Sequence, residues 1–135
     1  MSATKTRPKT APPAEFRKAV LDRFSRKLDK YLPEEGPLRP WKLAQIEAAL
    51  SRDMDEIARD VIESRIEVDP TRVPDEKPVC PKCGKPVRSV EWDRSAHRIT
   101  IFGKVHYRRA HAPCHACGVA FSPSGHCVRL RQGLL

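Results

Sequence analysis

A chain of 135 residues with 13 prolines and a hydrophobic fraction of 39% has room for one ordinary domain or two small ones, not for a single large core. It contains no run approaching the roughly 18 apolar residues of a membrane helix, and its start, MSATKTRPKTAPPAEF, lacks the apolar middle of a secretion signal, so no membrane partner and a cytoplasmic location are expected. The formal net charge of +9 is unevenly placed: residues 1–76 hold 15 Lys and Arg against 15 Asp and Glu, whereas residues 77–135 hold 11 against 2.

In chain order, residues 1–12 are Lys, Thr, Pro and Ala without periodicity and read as a flexible basic arm. Pro13 suits a first helical position, and Phe16, Val20, Phe24, Leu28 and Leu32 recur every four residues, predicting an amphipathic helix that Pro33 and Gly36 end. Leu43, Ile46, Leu50, Met54, Ile57 and Val61 predict a second helical stretch closing near Ile66, either one long helix or two with a break near Ser51. Glu47, Asp53, Asp55, Glu56, Asp60, Glu63 and Glu67 form its expected exposed face, too acidic to lie on phosphates. The helical region, 13–68, is expected to pack on itself and to provide self-association. It lacks the short Gly-bearing turn of a DNA-reading helix pair. DPTRVPDEKP, with three prolines, predicts a linker over 69–78, followed by a small module over 79–125 and a tail over 126–135.

That module holds two Cys-x-x-Cys-Gly motifs, Cys80 to Gly84 and Cys114 to Gly118. Two intervening residues let both sulfurs of a tight knuckle reach one metal at about 2.3 Å, and a following glycine permits the left-handed backbone that completes the turn. Cys80, Cys83, Cys114 and Cys117 are therefore expected to hold one structural Zn2+, with iron as the competing metal for an all-sulfur site. Four protein ligands leave no position for a substrate or water. His111 and His115 flank Cys114 but are not needed as ligands, and Cys127 reads as a spare thiol.

Between the knuckles the sequence predicts a strand over Val87 to Trp92, a turn over Asp93 to Ala96, and a hairpin of His97 to Phe102 and Val105 to His111. Taking Gly103-Lys104 as its two-residue turn places Phe102 opposite Val105 and Arg98 opposite Arg109, a like-charged pair that an anionic partner would neutralise. The fold class expected is thus α+β, an N-terminal helical region followed by a small antiparallel β zinc ribbon. Lys82, Lys85, Arg88, Arg98, Lys104, Arg108 and Arg109 are the candidate contacts to nucleic-acid phosphates, with DNA the expected partner. Trp92, Phe102, Tyr107 and Phe121 are assigned to the small core, not to base stacking.

Catalysis is not expected. Pro113-Cys114-His115-Ala116-Cys117 matches half of the zinc deaminase signature, but neither His97 nor His106 opens the His-x-Glu half, and no glutamate follows Glu91. Two carboxylates, Glu91 and Asp93, do not make a two-metal nuclease centre, and no small-molecule substrate is expected.

The run CPKCG, then RITIFGKVHYRRAHAPC, then CHACGVAFSP, over Cys80 to Pro123, resembles the cysteine-rich N-terminal segment of ISKra-type insertion-sequence transposases. The resemblance implies a DNA-directed recognition or assembly module. In that family the ribbon precedes an RNase H-like catalytic domain, which lies outside Met1 to Leu135, and the ending SGHCVRLRQGLL departs from the family's continuation. A ribbon adaptor that docks on an acidic protein, and a truncated transposase remnant, are the alternative readings.

Overall fold

The computed structural model describes residues 12–69, 72 and 78–123. Residues 1–11 of the arm, most of the 69–78 linker, and the tail with Cys127 lie outside them. Two helices, α1 (Pro13–Leu28) and α2 (Leu43–Glu67), precede three strands, β1 (Glu91–Thr100), β2 (Gly103–Pro113) and β3 (Ala120–Phe121), in the sheet order β1-β2-β3. This is the α+β arrangement read from the sequence, two helices and then a small antiparallel sheet. No described helix is long and apolar enough to cross a membrane.

The first helix starts where Pro13 predicts, but it stops at Leu28 instead of running to Pro33. Pro33 has no N–H to give to the Asp29 carbonyl, and its ring bars Leu32 from helical geometry, so the last turn tightens, with Tyr31 and Leu32 both donating to the Leu28 carbonyl. The second stretch is one unbroken helix through Ser51. Its start is fixed by Gln45, whose side chain reaches back to accept the Lys42 backbone N–H at 2.9 Å.

The described residues divide into two compact units, one holding those of 66–97 together with 106–123, the other holding 12–65 together with the hairpin tip 98–105. In the helical unit the acidic face of α2 is not left in water. Arg23 bonds Asp60 at 2.8 Å, Lys27 bonds Glu56, and Lys30 bonds Asp53 at 2.9 Å. Each step of four or three up α1 matches the same step down α2, the signature of an antiparallel pair. Asp53 is only 6% exposed and is the one buried residue of α2, while α1 has none. The apolar stripe positions Phe16, Val20, Phe24 and Leu28 of α1 and Ile46, Met54 and Ile57 of α2 are half-buried, and a ladder of ions joins the two helices besides.

The hairpin tip corrects two expectations. Strand β1 runs without interruption through the predicted turn at Asp93 to Ala96, a segment with no Gly or Pro to break it. The turn itself is Ile101-Phe102, closing on Thr100 and Gly103. The Thr100 hydroxyl donates to the Gly103 carbonyl at 2.8 Å and accepts the Phe102 N–H at 3.1 Å, a side-chain turn that competes successfully with the one imagined at Gly103-Lys104. Neither Ile101 nor Phe102 has a positive φ, and Gly103 takes it instead, at 108°. The His97 and His106 rings stand 6.2 Å apart across the strands, so Arg98 is level with Val105 and not with Arg109. The predicted arginine pair does not form.

Arg59 of α2 donates to the Phe102 carbonyl at 2.5 Å, and a Cβ at position 103 would meet its Nη1 at 2.8 Å. Gly103→Ala combines that clash with a disfavoured backbone. It is expected to destabilise the helical unit by about 1–2 kcal/mol, read as a lower midpoint in urea denaturation.

Candidate metal centre

The two knuckles are built alike. The Cys80 N–H donates to the Lys85 carbonyl at 2.9 Å and the Gly84 N–H to the Cys80 carbonyl at 2.9 Å. The Cys114 N–H donates to Val119 at 2.7 Å and the Gly118 N–H to Cys114 at 2.8 Å. Gly84 and Gly118 have φ of 74° and 77°, the left-handed values that close both turns. A bridge between Val79 and Pro86 frames the first knuckle. The antiparallel pairing of β2 with β3, Ala112 to Phe121 and Pro113 to Ala120, frames the second.

These two hairpin ends bring the sulfurs of Cys80, Cys83, Cys114 and Cys117 within 4.8 Å of one another. Across the knuckles, Cys80 lies 3.5 Å from Cys117 and Cys83 lies 3.5 Å from Cys114. A tetrahedron with metal–sulfur bonds of about 2.3 Å has sulfur–sulfur edges of roughly 3.8 Å, so the four thiols form a cluster of the right size to hold one metal ion. His111 is half-buried and His115 exposed, and neither belongs to the cluster.

The thiols also have the electrostatics of a cation site. Backbone N–H groups of Cys83 and Lys82 aimed at the Cys80 sulfur bring its pKa down to about 6, against burial. The N–H of Cys117, with that of Ala116, lowers Cys114 in the same way. Cys117 goes in the opposite direction. Although the Val119 N–H favours its thiolate, burial and the neighbouring sulfurs of Cys80, Cys114 and Cys83 push it up to about 11. Thiolates packed this closely do not all ionise without a cation among them.

Around the cluster the unit buries little. Among the described residues Cys80, Val87, Tyr107, Ala110, Ala112 and Cys114 make up its apolar core, two of them cysteines of the cluster and two of them alanines. Tyr107 is buried as expected, whereas Trp92 and Phe121 are only half-buried, as is Phe102 in the helical unit.

The seven candidate phosphate contacts fall into different settings. Lys82, Lys85 and Arg88 lie on or just after the first knuckle, exposed and with no carboxylate partner among the described residues. Lys104 is also exposed, and it lies with Arg98 in the helical unit. The Nε atoms of Arg98 and Arg109 are buried without a hydrogen-bond partner. Arg108 is paired within the chain, to Glu67 at 2.6 Å and to Asp93 at 3.9 Å.

Arg72, in the stretch expected to be a linker, is 5% exposed and reaches the same two carboxylates, Glu67 at 3.4 Å and Asp93 at 3.8 Å. Two arginines and two carboxylates from four separate places in the chain thus form one cluster. No local pattern announces it; the only clue is that Glu67 and Asp93 are among the few acids near a basic module. Compared with protein-family models, curated proteins and solved structures, the chain has no match.

Proposed function

We propose that this protein is a zinc-ribbon nucleic-acid-binding module, with DNA as its ligand and no catalysis of its own. Zn2+ fits four thiolates in a closed tetrahedron, and such a site holds structure and has no open position for chemistry. The observation that carries the reading is the row of exposed cations at the first knuckle, Lys82, Lys85 and Arg88, with no carboxylate partner among the described residues, on a segment with 11 basic and 2 acidic residues. Cations with no internal carboxylate are available to phosphates. Lys104 adds a fourth such charge. Arg108 contributes less, because a phosphate would have to displace Glu67 and Asp93. The similarity of 80–123 to the ribbon of ISKra-type transposases supports DNA over other polyanions and a descent from that family.

Phosphate contacts of this kind give affinity with little sequence preference and a steep salt dependence. Fluorescence anisotropy with a short labelled duplex of arbitrary sequence tests it. The logarithm of the binding constant should fall linearly with the logarithm of salt concentration, and the Lys82→Gln, Lys85→Gln, Arg88→Gln triple variant should reduce the slope by about 2–3. A flat salt response, or co-purification of a stoichiometric acidic protein in place of DNA, would sink the reading.

A further inference from the structure

The cluster of Glu67, Arg72, Asp93 and Arg108 lies wholly within the cysteine-rich unit. Its two arginines converge on the same two oxygens. Glu67 Oε1 lies 2.6 Å from Arg108 Nη2 and 3.4 Å from Arg72 Nη2, whereas Asp93 Oδ1 lies 3.9 Å from Arg108 Nη1 and 3.8 Å from Arg72 Nη1. The Glu67 side is tight and the Asp93 side is loose. Neither guanidinium comes within the roughly 2.7–2.9 Å of a charge-assisted hydrogen bond to Asp93. Arg72 Nε and Nη1 are buried with no hydrogen-bond partner among the described residues, and the Arg72 side chain is only 4% exposed. A buried guanidinium donor left unmade is costly, so the Asp93 side of this pair holds donor capacity that the carboxylate leaves unused.

We propose that Arg72 and Arg108 form a phosphate-binding site that Asp93 occupies until a phosphate group displaces it. Glu67, which touches both guanidiniums, keeps them converged. Entry between the two Nη1 atoms requires only Asp93 to leave, and at 45% exposure, against 19% for Glu67, Asp93 is the outer of the two acids. Phosphate suits the position better than a carboxylate does. One Asp93 oxygen is shared loosely by two donors, while a tetrahedral phosphate presents a separate oxygen to each fork. The surrounding charge favours the exchange as well, because Glu91 and Asp93 are the two acids of residues 77–135, against 11 Lys and Arg. Backbone phosphates of a nucleic acid and free phosphate share this chemistry. The site itself does not depend on which of them supplies the group.

Two titrations of the full zinc-loaded chain test the site and separate the sources. In the first, inorganic phosphate should shift the Arg72 and Arg108 Nε–H signals in NMR spectra with a millimolar Kd, and Asp93→Asn should tighten binding by about fivefold to tenfold. Glu91→Gln removes the other acid of the segment, which has no ion pair to either arginine, and should tighten it by less than about twofold. Arg72→Lys keeps the charge without the fork and should weaken it by about tenfold. Asp93→Asn breaks no hydrogen bond to either arginine, so it decides the matter even if Arg72→Lys disturbs the unit. In the second, with the labelled duplex, Asp93→Asn should steepen the salt slope by about 1 if backbone phosphates enter the site. Signals that respond to free phosphate with the duplex unbound, or with its slope unchanged, would keep the site and assign it to small phosphates. A steeper duplex slope without any response to free phosphate would assign it to backbone phosphates alone. Arginine signals that neither source moves, or an Asp93→Asn effect no larger than that of Glu91→Gln in both titrations, would overturn the proposal.

Discussion

Cys114→Ser is expected to abolish the fold of the cysteine-rich unit while leaving the helical pair largely intact. The reason is the small size of what else holds that unit together. Among the described residues its buried apolar side chains besides the cysteines are Val87, Tyr107, Ala110 and Ala112, with Arg72 its one buried charge, and burying one Val-sized side chain contributes only about 1.5–3 kcal/mol before ordering costs. Structural zinc in small peptides contributes an apparent 10–16 kcal/mol, far more than a core of this size supplies. Serine offers a hydroxyl that does not ionise near neutral pH, so the tetrahedron loses a thiolate and the second knuckle its anchor.

Native mass spectrometry should show one zinc in the wild type and none, or a weakly held ion, in Cys114→Ser. Amide exchange should show the segments around Val79 to Val87 and Ala110 to Phe121 exposed to solvent. Cobalt replacement would report the donor set directly through the visible bands of a tetrahedral all-sulfur site. Chelation of the wild type should reproduce the variant. A variant that keeps both its zinc and its exchange protection would refute the structural role of the cluster.

The second large effect is expected at Asp53. Its carboxylate accepts the Tyr31 hydroxyl at 2.5 Å and Lys30 Nζ at 2.9 Å, with Lys27 at 3.5 Å, and it lies at the centre of the two helices. Asp53→Ala leaves Tyr31 and Lys30 facing a gap, and a loss on the order of 2 kcal/mol or more follows for a charged, buried hydrogen-bonding group. In a unit of this size that corresponds to a fall in Tm of roughly 10 °C.

The pH dependence identifies the cause. The Tyr31 hydrogen bond first, and then Lys30, lower the Asp53 pKa from 3.8 to about 2. The unfolded chain therefore takes up a proton before the folded one does. The stabilisation is complete above pH 4 and is lost as the pH falls toward 2. Since acid also strips metal from the thiolates, the quantity to measure is the helical stability of the wild type minus that of Asp53→Asn. This difference should shrink across that interval. A difference that stays constant would show that the carboxylate's charge contributes nothing.

Tyr31 reports the same contact from the other side. Burial first, and then the Asp53 carboxylate, raise its pKa to about 12, so the hydroxyl keeps its proton where a free tyrosine would lose it.

Much of the metal site was legible in the residues themselves. Cys-x-x-Cys-Gly encodes a closed local geometry, because two residues and a left-handed glycine fix the sulfur positions whatever surrounds them; Gly84 and Gly118 adopt that backbone. The start of α1 at Pro13 and the continuity of four-residue spacing were legible for the same reason. They depend on chain sterics and hydrogen bonds a few residues apart.

Other features were decided only by tertiary structure. Asp53 looks, by spacing, like one more acid on a solvated helix face; only the approach of Lys27, Lys30 and Tyr31 makes it buried and anionic. The complementary steps in Arg23, Lys27, Lys30 and Asp60, Glu56, Asp53 were present in the sequence, but many pairings are consistent with two charged helices until one is built. The hairpin turn moved to Ile101-Phe102 because the Thr100 side chain closes it, a competition between two local turns that composition alone does not decide. Arg72, Glu67, Asp93 and Arg108 meet although no period links them. By itself, then, the sequence determined which thiols come together in one cluster and where the net charge lies. The tertiary structure decided which charges are consumed internally and which stay exposed, because ion pairing and burial depend on neighbours that are distant in the chain.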